Sequence, residues 1–265
     1  KLESVHYDLV AALLADEKID AARNTLIQAE SQFEANFMQA YFGAMIQLEE
    51  KAYLKAHESL LTAESRAKKG EPERLTHILY FQLGSTAERG KKHQDAEKHF
   101  RQSIKLKPDY ATALNYLGYM WADRNENLKE AEEFVRRALK VDEDNPAYLD
   151  SLAWIHYRRG EFKEALKILC DFVQEFAQEL DVTIVVCGDF NAPVGFINDL
   201  LNGSDVKIVA PEGRTGNPCW IGYEQDAIDL ALLFNFKGDV ECYPLEKIPF
   251  QVEISSSIVK SFLKL

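Results

Sequence analysis

Residues 111–138, ATALNYLGYMWADRNENLKEAEEFVRRA, carry two amphipathic helical patterns separated by a short polar stretch, Asp123–Asn127. A small residue in the first pattern, Gly118, and another in the second, Ala131, allow two short helices to approach each other closely. A large apolar residue beside the glycine, Leu117, fills the space that remains between them. We therefore predict an antiparallel helical hairpin with its turn at Asp123–Asn127.

The same hairpin pattern recurs along the first two thirds of the chain. Successive alanines at the small position of the second helix are separated by 34, 40, 35 and 34 residues: Ala22, Ala56, Ala96, Ala131 and Ala165. Small residues also recur in the first helix at Gly84, Gly118 and Ala153. One hairpin alone buries only part of its apolar surface, so we expect neighbouring hairpins to stack. We predict five units, at 3–36, 37–76, 77–110, 111–145 and 146–179, and a lengthened segment between two repeats at Glu64–Thr76.

An interval of about 34 residues with this arrangement of small and large apolar residues resembles the tetratricopeptide repeat (TPR). The resemblance covers residues from about 3 to 169 and is clearest in the third to fifth units. It implies an all-α TPR superhelix of about five helical hairpins. A generic amphipathic helical bundle is the alternative for this part of the chain.

The resemblance also implies a function, because TPR proteins usually bind peptides or partner domains along the concave face lined by their first helices. Residues at the inward positions recur at spacings of four and of seven or eight, so each set shares one helical face. Aromatic residues with a few Arg, Asn and Asp are typical of recognition surfaces. Ordinary packing between repeats is the alternative for each single residue. The predicted partner-binding residues are Tyr41, Phe81, Arg89, Asn115, Tyr119, Asp150, Trp154 and Arg158.

We make a separate prediction for each of two polar residues within the repeats. Asn115 can hold a ligand backbone, since its amide offers both a donor and an acceptor. His156 stands at a packing position, and we predict a core histidine there rather than a metal ligand.

The repeat pattern is lost after Leu169, where Phe172 replaces the small residue that the pattern requires. We place a domain boundary there, with a repeat domain at 1–170 and a small α/β segment at 171–265. Short runs rich in β-branched or apolar residues predict strands in this segment. The predicted elements are a helical turn at Phe196–Leu201 and strands at Val182–Cys187, Val206–Val209, Ala227–Phe234, Val240–Tyr243 and Phe250–Ile254.

The motif Gly188-Asp189-Phe190-Asn191 follows the first predicted strand, and Pro218-Cys219-Trp220 and Asp226-Ala227-Ile228-Asp229 come later. This order resembles, over about residues 171–257, the exonuclease–endonuclease–phosphatase superfamily, and most of all the endonuclease domains of non-LTR retrotransposons. The resemblance implies a Mg²⁺-dependent phosphodiesterase. In it Asp189 and Asn191 would position the water and the phosphate, and Asp229 would orient a catalytic histidine.

The segment departs from that family at two places. Glu253–Ile258 stands where the family has a Ser-Asp-His motif, and no histidine follows His156. The family's first half, which supplies a metal-binding glutamate, has no counterpart. Because loss of the general base and of a metal ligand leaves essentially no turnover, we predict an inactive segment with no metal or cofactor. An active Mg²⁺-dependent endonuclease, a simple strand-ending turn at the motif, and a fusion of unrelated halves remain the alternatives.

Half of such a sandwich would leave a sheet edge exposed. We therefore predict that the segment packs on the last repeat or on another chain.

Composition narrows the choice of partners. The chain has a formal net charge of −12, and from Cys170 onward 15 acidic residues stand against 6 basic ones. Phosphate backbones require Lys and Arg, so we expect a protein or peptide partner and no nucleic acid. We also expect no membrane span. Four cysteines without a Cys-x-x-Cys pair predict reduced thiols in a cytoplasmic chain.

Overall fold

The computed structural model describes residues 2–179, 184–189, 207–209 and 229–234 of the 265-residue chain, with side chains for 3–174. The chain divides into two compact units, Lys1–Asp142 and Glu143–Leu265. Within the described ranges, none of the helices is long and apolar enough to cross a membrane.

The first unit contains four consecutive helical hairpins in the part that the structure describes. Each helix packs on the next helix along the chain. Its helices are α1 (Leu2–Ala15), α2 (Ile19–Gln32), α3 (Phe37–Glu49), α4 (Tyr53–Gly70), α5 (His77–Arg89), α6 (His93–Leu106), α7 (Ala111–Asp123) and α8 (Leu128–Leu139).

The second unit begins with one further hairpin, formed by α9 (Pro146–Arg158) and α10 (Phe162–Glu179). Pro146 opens α9, where its missing N–H is not needed, and the Asn145 side chain accepts hydrogen bonds from the N–H groups of Ala147 and Tyr148. Five hairpins at the predicted positions confirm the helical-repeat prediction. Because α10 continues past Cys170, the boundary that we placed at residue 170 falls inside a helix, and the division into those two domains stays a prediction.

The extra residues of the second repeat lengthen a helix, which corrects the longer linker that we expected at Glu64–Thr76. Helix α4 continues to Gly70, and its late residue Ala67 is fully buried. Burial of Ala67 in the same core as the rest of α4 explains why the helix extends. Pro72 then opens a single 3-10 turn before α5 begins.

Glycine makes the close approach of paired helices possible, as the sequence predicts. A Cβ atom on Gly118 would lie 2.7 Å from Cγ2 of Val135 in the facing helix. Ala131, at the predicted small position of that helix, is fully buried. The two helices therefore pack at a distance that no larger residue at position 118 would allow.

The turn inside each hairpin contains at least one residue in the left-handed region, and the turn between α7 and α8 contains two. That conformation lets the chain leave the first helix and enter the second within a few residues. The residues are Glu17 (φ 57°), Lys51 (φ 60°), Lys91 (φ 59°), Asn125 (φ 59°), Asn127 (φ 47°) and Gly160 (φ 75°).

Three short strands follow the helices in the described part of the second unit: β1 (Ile184–Asp189), β2 (Lys207–Val209) and β3 (Asp229–Phe234). They form one antiparallel sheet in the order β1-β3-β2, and β3 comes into contact with α10. The contact is the kind that we expected for a sheet packed on the last repeat. The elements predicted at Phe196–Leu201, Val240–Tyr243 and Phe250–Ile254 lie outside the described residues, and an endonuclease-like α/β segment stays a prediction.

Candidate partner-binding face

Tyr41 lies half-buried on α3 at the first of the predicted partner-binding positions. Its ring stacks on Phe37 at 5.5 Å and meets Phe42 edge-on at 5.7 Å. Burial raises the pKa of the Tyr41 phenol, and the nearby phenol of Tyr110 adds to this effect. Tyr41 thus stands close to Tyr110, which belongs to the loop that leads into α7.

Phe81 of α5 lies beneath other aromatic rings, with only 9% of its surface exposed. Tyr110 and Tyr116 meet it edge-on at 5.7 and 5.1 Å, and Phe100 lies at 5.9 Å. We call Phe81, Phe100, Tyr110 and Tyr116 the aromatic cluster. Because the two tyrosines cover it, Phe81 supports the predicted face from below and offers little surface to a partner.

Asn115 of α7 has a buried carbonyl oxygen, Oδ1, which accepts no hydrogen bond from any described residue, and the side chain is only 7% exposed. A buried acceptor without a donor is unfavourable by about 1–3 kcal/mol. One turn further along the same face, Tyr119 is 43% exposed. Asn115 and Tyr119 therefore combine a polar group that lacks a hydrogen-bond donor among the described residues with an accessible aromatic ring.

Arg89 stands apart from Phe81, although both belong to α5. It is exposed, and its guanidinium lies over the ring of Tyr53 at 5.1 Å from the centroid. Tyr53 is the first residue of α4, so Arg89 packs against the preceding hairpin.

The second unit carries the remaining three predicted residues on α9. Asp150 forms no ion pair with any described residue, and burial raises the pKa of its carboxyl group. Trp154 stacks on Tyr157 at 5.2 Å, and the guanidinium of Arg158 lies 5.5 Å from the Trp154 ring centroid. The indole N–H of Trp154 is buried and has no acceptor among the described residues. Of the three predicted residues on α9, Trp154 and Arg158 thus lie against each other.

His156 is a core residue, as predicted. It is 7% exposed, and its Nδ1 lies 2.6 Å from Oε2 of Glu161. In the part of the chain that the structure describes, no group of three or more His, Cys, Asp or Glu residues is placed to hold a metal ion.

Two of the three residues that the endonuclease resemblance singles out lie in described strands. Asp189 ends β1 and Asp229 begins β3, and the register places these two residues opposite each other. Asn191 lies outside the described residues. The structure therefore brings Asp189 and Asp229 together at one end of the sheet.

Tyr110 and Tyr116 were missed from the sequence. Tyr110 precedes α7, in a loop that we assigned no function, and Tyr116 is the neighbour of Asn115. An available signal was the clustering of aromatic residues around Asn115, which marks a place where several rings can meet.

Comparison with known proteins agrees with the helical repeats. Residues 81–148 and 124–178 match a family model described as tetratricopeptide repeat. The chain is 34% identical over 164 residues to the TPR repeat-containing protein PA4667 of Pseudomonas aeruginosa. The matched stretch covers 62% of this chain and 27% of that protein. The chain therefore spans about a quarter of the length of this relative.

Solved structures share the fold of the helical part. A crystal structure of MamA protein has a TM-score of 0.55 at 17% identity and covers 67% of this chain and 92% of that one. MamA from Desulfovibrio magneticus RS-1 gives 0.56 at 15% identity, with 64% and 93% covered. YrrB, described as a TPR protein with an unusual peptide-binding site, gives 0.53 at 14% identity, with 64% and 84% covered. At these identities the likeness shows the fold alone.

Proposed function

We propose that this chain, whose helical hairpins are tetratricopeptide repeats, is a scaffold that binds a peptide or partner protein on its first helices and catalyses no reaction. Repeats of this kind bind proteins or peptides, and the neighbour YrrB is itself described by a peptide-binding site. In the first unit the binding face is formed by Tyr41 of α3 and by Asn115 and Tyr119 of α7, with Phe81 of α5 beneath it. The ligand is an extended segment whose backbone amides meet the polar side chains of that face.

The proposal rests chiefly on the carbonyl oxygen of Asn115, which is buried and accepts no hydrogen bond from the residues that the structure describes. A half-turn about the Cβ–Cγ bond exchanges the oxygen and nitrogen of the amide, so either atom can be turned toward a ligand. The N–H of a bound peptide would supply the missing donor. A buried polar group that has no partner among the described residues thereby becomes a source of binding free energy.

Aromatic side chains around Asn115 supply the apolar part of the contact. Tyr119 is exposed one turn away. Phe81, which is buried, supports the rings of Tyr110 and Tyr116 within the aromatic cluster. Rigid aromatic rings lose little conformational entropy on binding, which is why they recur at interaction hot spots.

Selection of random peptides displayed on phage against the full chain, followed by fluorescence anisotropy with the peptides obtained, tests this function. We expect Asn115→Ala and Tyr119→Ala each to weaken binding by about tenfold or more, equivalent to about 1.4 kcal/mol. Lys105→Ala, an exposed change on α6, is the matched control and should leave affinity unchanged. Equal affinity of the two face variants and the wild type would overturn the proposal.

Asp150, Trp154 and Arg158 form a second contact region in our proposal, within the second unit. The buried indole N–H of Trp154 is a donor without an acceptor among the described residues, and a ligand carbonyl would meet it. Trp154→Phe removes this donor and leaves a smaller aromatic ring beneath Arg158. We expect the variant to lose affinity for the selected peptides, and unchanged affinity would restrict the binding face to the first unit.

A Mg²⁺-dependent phosphodiesterase is the second candidate function. It is favoured by one observation, the pairing of Asp189 with Asp229 across β1 and β3. Against it stands the absence of any histidine after His156 in the sequence. Nicking of plasmid DNA in the presence of Mg²⁺ that Asp189→Ala abolishes would establish this function in place of pure scaffolding.

The proposed partner is a protein or peptide, with neither nucleic acid nor membrane as a ligand, because acidic residues predominate. A cytoplasmic location is part of the proposal. It rests on the four cysteines without a Cys-x-x-Cys pair in the sequence. Among the residues whose side chains the structure describes, Cys170 is a buried free thiol.

A further inference from the structure

A cavity of about 420 Å³ opens in the first unit between α2, α3 and α4. Its volume falls within the range of small-ligand sites, about 300–1,000 Å³. We call it the back pocket. Its polar and small lining residues include Gln39, Gly43 and Gln47 of α3 and Ser59, Thr62 and Arg66 of α4.

The back pocket lies on the side of α3 opposite the proposed binding face. Gly43 stands two residues from Tyr41, and two residues turn an α-helix by roughly 200°. A ligand in the back pocket would therefore not compete with a peptide that contacts Tyr41.

Gly43 keeps the floor of the back pocket open, and the fold does not require a glycine there. A Cβ atom at this position would have only Cδ2 of Leu26 nearby, at 3.8 Å, which is an ordinary contact. At Gly84 and Gly118, by contrast, a Cβ would lie within 2.5–2.7 Å of the facing helix. Glycine inside a helix is unfavourable compared with alanine. The space that the missing side chain leaves at Gly43 is thus not explained by packing.

The polar groups of the pocket include hydrogen-bond donors that described residues leave available. Oγ of Ser59 donates to Oε1 of Gln47 at 2.9 Å, so the amide nitrogen of Gln47 keeps its own donors. Nη1 of Arg66 donates to the backbone oxygen of Asn36 at 2.6 Å, and no carboxylate of the described residues pairs with this guanidinium. One cation and an amide donor together suit a carboxylate.

We propose that the back pocket binds a carboxylate group carried by a peptide, with Arg66 and the amide nitrogen of Gln47 as donors. Phe33 lines the wall of the pocket and receives the apolar part of the ligand. Glu30, also at the pocket and exposed, opposes the binding of any anion and most strongly of one with a second negative charge, so the attraction of Arg66 must exceed this repulsion. The carboxylate can come from an acidic side chain or from a chain terminus.

Titration of the ¹⁵N-labelled full chain with three short probes tests the proposal and separates the two sources. Acetyl-Gly-Glu-amide offers a side-chain carboxylate, acetyl-Gly-Gly with a free C-terminus offers a terminal one, and acetyl-Gly-Gln-amide is the neutral match. We expect saturable shifts of the Gly43 backbone amide and the Arg66 side chain with at least one carboxylate probe. Shifts with neither, or equal shifts with the neutral probe, would overturn the proposal.

Three variants assign the binding to named residues. Arg66→Gln removes the charge, and Gly43→Leu fills the floor, and each should weaken probe binding at least tenfold. Thr62→Leu is a second blocking variant. Among the described residues, the exposed hydroxyl of Thr62 donates only to the backbone oxygen of Glu58 in its own helix, so its loss removes no tertiary hydrogen bond. Gly70→Ala, where a Cβ meets nothing within 4 Å, is the control.

The failure of this proposal can be told from failure of the proposed scaffold function. Asn115→Ala should leave binding of the carboxylate probes unchanged, while Arg66→Gln should leave unchanged the affinity of peptides that depend on Asn115. Wild-type affinity of Arg66→Gln for the carboxylate probes would show that the guanidinium is not the anchor and would sink the assignment.

Discussion

Gly84 of α5 has no room for a side chain beside Phe100 of α6, because a Cβ atom there would lie 2.5 Å from Cδ1 of the ring. Phe100 is fully buried and cannot move away, since Phe81 and Tyr116 hold its ring from other sides at 5.9 and 6.1 Å. The spacing of the third hairpin therefore depends on this glycine.

Gly84→Ala should lower the free energy of unfolding by roughly 1–3 kcal/mol, the usual effect of overpacking a filled core. Gly43→Ala is the matched control, because its Cβ has room and alanine favours the helix, so we expect a gain of about 0.5–1 kcal/mol. Urea unfolding followed by circular dichroism measures both. Equal stability of Gly84→Ala and the wild type would show that the two helices can separate without loss.

Lys91→Gly should raise the free energy of unfolding. Lys91 has φ 59° in the turn between α5 and α6, a region that is unfavourable for residues with a Cβ by roughly 1–2 kcal/mol. Glycine removes that strain but adds freedom to the unfolded chain, so we expect a net gain of about 0.5–1 kcal/mol.

The corresponding turn of the last hairpin, between α9 and α10, allows the opposite substitution. Gly160 has φ 75°, so Gly160→Ala places a Cβ atom in the left-handed region and introduces the kind of backbone strain that Lys91→Gly removes. We expect it to destabilise the fold, as measured by thermal melting. If both changes shift the melting temperature in the same direction, backbone strain is not the dominant effect in these turns.

Two buried histidines should make the first unit sensitive to mild acid. His57 and His99 are 2% and 7% exposed, with ring centroids 6.0 Å apart. Burial lowers the pKa of both. The Lys92 charge lowers that of His57 further, and His57 lowers that of His99, while Glu64 opposes the shift at His99.

The sign of the effect follows from the direction of these shifts. The unfolded chain takes up protons near the ordinary pKa of about 6.5, whereas the folded chain keeps both rings neutral to lower pH. Stability is therefore greatest above the unfolded-state pKa of about 6.5 and decreases as the pH falls from there toward the lower pKa of the folded rings. His57→Gln/His99→Gln should flatten this dependence below about pH 6.5. An unchanged slope in the double variant would rule these rings out as its cause.

The helical repeats could be predicted from the sequence because their packing is local and periodic. Gly118 and Ala131 appear at fixed spacing, and the close contact that they predict is the contact observed. The extension of α4 to Gly70 could not be predicted from the sequence, since Gly70 and Pro72 suggest a loop. Burial of Ala67 in the core overrode that local signal.

The candidate sites were harder to predict, because they depend on which residues cover which. Phe81 occupies a ligand-facing position of the repeat, yet Tyr110 reaches over it from a loop 29 positions away in the chain. The back pocket has no sequence signal beyond Gly43, whose role differs from that of Gly84 only through the distance to the neighbouring helix. Periodicity predicts faces of helices, and it does not predict which side chains close over them.

Asn115→Leu should separate stability from binding. The substitution replaces a buried carbonyl oxygen, which has no hydrogen-bond donor among the described residues, by an apolar group of similar size. Removing such an acceptor should raise the free energy of unfolding by about 1 kcal/mol. The same change deletes the proposed partner of the ligand backbone, so affinity for the selected peptides should fall at least tenfold. Asn115→Asp, which places a charge in the same volume, should destabilise the fold instead. Urea unfolding and anisotropy on the three proteins measure both effects. A less stable Asn115→Leu would mean that the amide stabilises the free protein, and the argument that it awaits a ligand would then fail.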